Sequence, residues 1–241
     1  MINKLITIRQ ASKALGISID TLRRWDKSGK LLSVRAGKGS HRLYKESDLD
    51  VFVNNPIQRA EEWALSRIPK EPPENFFCQN SAIFQARLSK MESDLSKIKD
   101  LEDSFPLLVA VAGEIGGNSF DHNIGSWPDI MGAFFAYDTN RRLIVLADRG
   151  QGILTTLKRT KPSLKTHAEA LETAFTEIIS GRAPESRGNG LKFVKKVISG
   201  NSFALDFQTG NAKLEIGPFG SAASISKRKD FIQGCLAIIR F

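Results

Sequence analysis

The chain of 241 residues has only two cysteines and three histidines, and no uncharged apolar run approaching the ~18 residues of a membrane span. The missing run excludes a transmembrane helix. The start, Met1-Ile2-Asn3-Lys4, leads into polar sequence rather than the apolar core of a signal peptide. Cys78 and Cys235 are too few and too far apart for a disulfide framework or a metal-ligand cluster, so a reduced, cytoplasmic protein is expected. What is present is a 41% hydrophobic, 25% charged chain, enough for a real core in one large domain or two modest ones.

The charge is unevenly placed. Residues 1–45 carry eleven basic side chains and two acidic ones, whereas the rest of the chain carries 24 of each sign. All of the formal excess of +9 therefore lies in the first fifth of the sequence. That is the footprint of a polyanion-binding module joined to an electroneutral partner.

The basic segment is also patterned. Thr7 and Gln10 make a capping pair ahead of Ile8, Ala11, Ala14 and Leu15, which predicts a helix from Ile8 to just before Gly16. Ser18 predicts a second helix over 19–27 that buries Ile19, Leu22 and Trp25 and leaves Thr21, Arg23, Arg24 and Lys27 on other faces. Two short helices about a tight turn make a helix-turn-helix. Leu31–Val34 and Leu43–Tyr44, flanking Gly37-Lys38-Gly39-Ser40, predict a two-stranded wing, and Ser47 with Asp50 opens a third helix through Val53. The runs TLRRWDKSGKL and HRLYKESDL resemble the winged helix-turn-helix of the MerR and excisionase families over residues 3–55. The resemblance implies double-stranded DNA as partner, with Arg23 and Arg24 in the major groove and Lys38, His41, Arg42 and Tyr44 reaching backbone or minor groove from the wing. Tyr44 and Trp25 are equally suited to the core.

Residues 56–82 hold Pro56, Pro69, Pro72 and Pro73, so no single helix is expected to run through them. Leu88, Met91, Leu95 and Ile98 then alternate spacings of three and four, which predicts an amphipathic helix that either dimerises or packs on the following domain. The expected organisation is a DNA-binding domain at 1–55, a linker with amphipathic helix at 56–102, and a third region at 103–241.

That region holds three motifs. On a predicted helix from Phe105 to Asn123, Glu114, Asn118 and Asp121 recur at i, i+4 and i+7, and grouped carboxylates on a helix otherwise rich in Leu, Val and Ile are costly unless they bind something. Gly116 and Gly117 in mid-helix suggest close approach of another group. A hairpin of Gly132–Tyr137 and Arg142–Ala147 runs into Asp148-Arg149-Gly150-Gln151-Gly152-Ile153, where a carboxylate at the end of an apolar strand can accept from an exocyclic amine. A helix at 167–179 precedes a flexible stretch and then Arg187-Gly188-Asn189-Gly190-Leu191, glycines that feed a helix N-terminus suited to phosphate. Strands are expected at 203–208, 213–216 and 236–241.

In this order the motifs resemble the GHKL ATPases, the superfamily of gyrase B, MutL, histidine kinases and anti-sigma serine kinases. The resemblance implies an α+β two-layer sandwich, a mixed sheet with helices on one face, that binds ATP with Mg²⁺. It makes Asn118 the Mg²⁺ ligand, Glu114 a general base and Asp148 the acceptor of the adenine amine. Asp121 shapes the ribose or water network, and His122, Gly150, Gly152, Ile153, Arg187, Gly188, Asn189, Gly190 and Leu191 surround the nucleotide under a lid at 180–190. Two departures stand out: the strand Cys235–Arg240 lacks the Thr that often assists adenine binding, and these residues do not show the separate lysine-bearing transducer domain that gyrase B and MutL use, so rapid turnover is not expected. No histidine lies in 56–104, which speaks against autophosphorylation. Glu114, Asn118 and His122 look most like the anti-sigma serine kinases, which act on a small partner protein. The expectation is a DNA-binding regulator controlled by Mg-ATP, with weak ATPase or serine kinase activity; an anti-sigma-type serine protein kinase docked on DNA, or an excisionase-like architectural binder that senses nucleotide, are the alternatives.

Overall fold

The computed structural model describes residues 4–15, 17–29, 31–35, 37, 40–46, 48–49, 55–177 and 189–241. The chain divides into two compact units, Met1–Gln58 and Arg59–Phe241.

In the first unit, β1 (Leu5–Thr7) leads directly into α1 (Ile8–Leu15), then α2 (Ile19–Lys27) and β2 (Leu43–Lys45). The expected capping pair closes α1: the Thr7 N–H donates to Gln10 Oε1 at 2.8 Å and the Gln10 N–H to Thr7 Oγ1 at 3.3 Å. Ser18 caps α2 by accepting from the Thr21 N–H at 3.0 Å. Ile6, Ala11, Leu22, Trp25, Leu31, Tyr44 and Leu49 form the core, whereas Ile19 is half-buried and Ala14 exposed, at the margins of the predicted faces. Among the described residues of the predicted wing there is one antiparallel bridge, in which Val34 and Leu43 exchange backbone hydrogen bonds of 2.7 and 3.0 Å. Beyond that bridge Leu43–Lys45 pairs with Leu5–Thr7, a strand the sequence did not announce because three residues are too few to show alternation. Lys38 and Gly39 of the wing tip, Gly16 of the turn, and most of the third helix (Ser47 and 50–53) lie outside the described residues.

The boundary between the units falls inside α3 (Pro56–Leu65). The stretch expected to be a linker belongs largely to the second unit: β3 (Phe77–Cys78) joins its sheet, and α4 (Ser81–Leu95) buries Phe84, Leu88, Met91 and Leu95 in its core. The amphipathic helix thus spends its apolar face inside the chain. After a short 3-10 turn come α5 (Phe105–Asp121), β4 (Ala133–Asp138), β5 (Leu143–Asp148), α6 (Gly152–Leu157), α7 (His167–Thr176), α8 (Gly190–Gly200), β6 (Ala204–Ile216) and β7 (Ser224–Arg240).

The sheet order is β3-β4-β5-β7-β6, and every pairing is antiparallel, not mixed as expected. Alternate residues Phe135, Ile144, Leu146, Leu205, Phe207, Ala237 and Ile239 pack with side chains of α4, α5, α7 and α8 in one core. The opposite face is buried as well, Phe134, Val145 and Ile238 included, with Phe76 stacked on Phe134 at 5.2 Å. The unbroken apolar run Leu143–Ala147 is the sequence counterpart of a central strand covered on both sides. The three short strands expected near the C-terminus are two long ones, β6 and β7, with register shifts at Thr209/Gly210 and Gly210/Ala212.

Candidate functional site

On α2, Arg24 and Lys27 are exposed, Thr21 is half-buried, and Arg23 is exposed but held by Asp20 at 2.9 Å. His41 is exposed. Two of the residues expected on DNA turn inward. Tyr44 is fully buried, its hydroxyl near the Leu22 carbonyl at 3.5 Å, which corrects the expectation of a wing contact. Arg42 donates through Nε to Asp26 Oδ2 at 2.7 Å, beside Arg35 at 2.6 Å, and Ser33 adds two hydrogen bonds to Asp26 Oδ1. Burial would raise the Asp26 carboxyl, but Arg42, Ser33 and Arg35 together hold it well below the usual carboxylate range.

In the second unit one cleft gathers side chains from separate parts of the chain. Glu114 and Asn118 project into it from α5, with Asn118 Nδ2 donating to Glu114 Oε1 at 3.2 Å. Asp148 closes its floor at the end of β5. Gly190, the first residue of α8, lies directly against the Glu114 carboxylate, so that a Cβ there would overlap Glu114 Oε1. His122, Gly152, Ile153 and Leu191 also line the cleft, and Leu146, Phe207 and Ala237 supply an apolar wall. Asn189 caps α8 without a side-chain hydrogen bond, leaving the first N–H groups of that helix without a capping side chain among the described residues. Arg187 and Gly188, with most of the expected lid, lie outside the described residues.

Asp148 is the electrostatic centre of this cleft. It is 4% exposed and accepts from the Gly150 N–H at 2.8 Å, the Ser119 hydroxyl at 2.9 Å and the Cys235 backbone N–H. Burial pushes its carboxyl up to about 6 against those three hydrogen bonds, and among the described residues no cation offsets the cost. Three donors leave about one of four lone-pair directions for a further partner. The same burial, with Asp148 beside it, pushes the Cys235 thiol far up.

The loop after Asp148 is held from three sides. The Gln151 N–H donates to Asn123 Oδ1 at 2.8 Å, Gln233 Nε2 to the Gly150 carbonyl at 2.8 Å, and Thr209 Oγ1 bridges the Ile153 N–H and the Gly234 carbonyl. Gly150 lies so close to the Asn123 carboxamide, and Gly234 (φ +75°) to the Asp148 backbone, that neither position admits a Cβ. Arg149 is 3% exposed; it pairs with Asp129 at 2.7 Å and donates through Nη1 to the carbonyls of Trp63 and Ala64 at the end of α3, at 2.6 and 3.2 Å.

Sequence spacing placed Asp121 in this group, but it is exposed and does not line the cleft. At about 100° per residue, Asn118, His122, Ile115 and Ser119 all lie on one side of Glu114, whereas Asp121 falls about 20° to the other. The residues that sequence reasoning missed are Ser119, Asn123, Thr209 and Gln233, each of which acts through a backbone or carboxylate partner distant in sequence. Thr209 stands opposite Cys235 on the neighbouring strand, so a buried threonine is present beside the strand that lacks one. The close approach anticipated at the α5 glycines is the Phe84 ring against Gly116; at Gly117 there is open space.

Residues 7–44 match the sequence profile of the MerR family regulatory protein. A segment of 63 residues is 33% identical to the type II methyltransferase M.Eco47II of Escherichia coli, covering 26% of this chain and 15% of that enzyme. The chain thus corresponds to a small fraction of that relative's length. The N-terminal segment carries a MerR-family helix-turn-helix domain, followed by an α+β region with an antiparallel sheet, and the match supports a DNA-binding transcriptional regulator. Among the described residues no helix is long and apolar enough to cross a membrane.

Proposed function

We propose that the protein is a DNA-binding transcriptional regulator whose second unit binds Mg-ATP, in the manner of the GHKL ATPases, and that this binding alters its hold on DNA or on a partner protein. The observation that carries the reading is the convergence, in one cleft, of three motifs far apart in sequence: Glu114 with Asn118, Asp148 with its glycine loop, and Gly190 at the start of α8.

The residues fit the ligand. A buried carboxylate with one unused acceptor direction, between apolar walls, suits the exocyclic amine of a purine, and Gly152 lets the backbone pass close to a flat ring. The Asn118 carboxamide lines the cleft and spends its Nδ2 on Glu114, which keeps its oxygen for a cation, and Mg²⁺ carried by a triphosphate needs few protein ligands beyond such an oxygen. The N–H groups at the start of α8 supply donors for phosphate oxygens.

Bound Mg-ATP would supply an electrophilic γ-phosphoryl group. In this chain Glu114 would hold the proton of an attacking hydroxyl, Asn118 would orient the cation, and Asp148 would fix the base. Phosphoryl transfer to water or to a serine of a small partner protein is the second reading, favoured by the placement of Glu114 against both Asn118 and Gly190.

Calorimetry with Mg-ATP tests the first reading: heat of binding is expected in the wild type, with affinity about 100-fold weaker in Asp148→Asn and retained in Glu114→Ala. No heat with any adenosine nucleotide defeats it. Radiolabelled ATP with lysate tests the second; a labelled partner that disappears in Glu114→Ala supports transfer.

A further inference from the structure

The outer part of the β6–β7 ribbon does not follow from a nucleotide pocket. Glu215 to Ala212 pair with Ser224 to Lys227, and the next pair is Gly210 with Ile232. Four residues of β7, Arg228-Lys229-Asp230-Phe231, therefore face Asn211 alone. A bulge of this kind throws its side chains outward, and every residue from Ser224 to Phe231 is exposed. Three consecutive cations, Lys227, Arg228 and Lys229, stand on this projection, and among the described residues no carboxylate pairs with them.

The aromatic at its end ties the projection to a second basic run. Phe231 is 58% exposed, and its ring meets His167 edge-on at 5.4 Å. His167 opens α7, and the segment before it carries exposed Lys158, Arg159 and Lys165. His167 is held below its usual pKa by burial and, after that, by Lys158, which places this lysine near the same contact. Charges that only blunt a sheet edge need neither a half-exposed aromatic among them nor a matching run on another element.

We propose that Lys227, Arg228 and Lys229 on the ribbon, together with Lys158, Arg159 and Lys165 on the segment before the His167–Phe231 contact, form a second polyanion-binding surface that grips the phosphate backbone of duplex DNA. Two features favour DNA over an acidic protein. The MerR-type domain on the same chain holds duplex DNA at high effective concentration, and the surface offers spaced cations rather than an apolar groove for peptide side chains. The contact carries no base specificity; it lengthens the footprint and adds to the salt dependence.

The test uses the full-length protein and fluorescence anisotropy on duplexes of two lengths over a salt series. Lys227→Ala/Arg228→Ala/Lys229→Ala is expected to flatten the slope of log K against log salt by about two to three, at about 0.9 for each phosphate no longer neutralised. It should also cost tenfold or more in affinity at low salt and abolish the gain in affinity from flanking DNA. Lys158→Ala/Arg159→Ala/Lys165→Ala should act in the same direction. An unchanged slope in a variant that melts like the wild type overturns the proposal. If Arg23→Ala/Arg24→Ala weakens binding while both triple variants do not, the DNA-reading domain stands and this surface falls. Loss of binding to polyglutamate with undiminished duplex binding assigns the surface to an acidic protein and also overturns it.

Discussion

Asp26 in the first unit and Asp148 in the second are both withdrawn from solvent, and their surroundings are opposite. Asp26 receives two guanidinium groups and two hydrogen bonds from Ser33, which hold its carboxyl low. Asp148 receives three uncharged donors and, among the described residues, no cation, and burial lifts it to about 6. The first arrangement is self-sufficient: it locks the wing base to α2. The second carries an uncompensated cost, of the kind that persists where a ligand is to be met. The first unit, in consequence, spends Asp26 on internal cations and presents Arg24, Lys27 and His41 outward.

Removing the ligand role from Asp148 gives the largest expected effect. Asp148→Asn turns one of the two acceptor oxygens, which take Gly150 and Ser119 separately, into a donor and removes the charge, and should weaken Mg-ATP about 100-fold by calorimetry, the worth of a charge-assisted hydrogen bond. Equal affinity in the variant would remove Asp148 from the site and with it half of the contrast.

Next comes Asp26→Ala, which strands Arg42 and Arg35. It should cost the first unit about 2 kcal/mol in urea denaturation, with the second unit unaffected. Because the Asp26 carboxyl is lowered in the folded state, its contribution is full above the ordinary value of 3.8 and is lost as pH falls through the lower folded value.

Stability should move the other way at Asp148. With a carboxyl raised from 3.8 to about 6, the folded state keeps its proton longer than the unfolded chain, so stability is highest below 3.8 and declines as pH rises through about 6. Asp148→Asn should therefore gain on the order of 1 kcal/mol at pH 7 and nothing at about pH 3.5. A variant that is both weaker in binding and more stable would be hard to explain by a structural role.

The smallest effect is on the DNA side. Arg24→Ala should flatten the salt slope of DNA binding by about one, and Arg23→Ala by less, since Arg23 already shares its charge with Asp20. Equal slopes for the two would argue that the Asp20 pair breaks on the surface of DNA.

The parts of this protein that were legible in its sequence are those fixed by neighbours in the chain. The caps of α1 and α2 rest on residues three apart, and the β4–β5 hairpin on a short turn, so each could be placed from spacing alone. Asp148 and Gly190 could be singled out as well. What escaped depended on partners far along the chain: Thr209 needs Gly234 and Ile153, Asn123 needs Gln151, and β1 needs β2. Asp121 failed for a different reason, since a helical face defined by three polar residues does not say on which flank the cavity lies. The prolines of 56–82 suggested a tether, yet Phe77 and Cys78 add an edge strand there, because two residues suffice for pairing when the neighbouring strand is already in place.

Arg149 sits between the acid on the cleft floor and the first glycine of its loop, and its guanidinium is shared between Asp129 and the carbonyls that terminate the helix beginning at Pro56. Floor and helix end are thereby bolted to a single peptide. Whatever displaces one by an ångström must drag the other along or leave a charged group stranded in a dry interior, so a small molecule seated at 148 would make itself felt at residue 64 without any hinge.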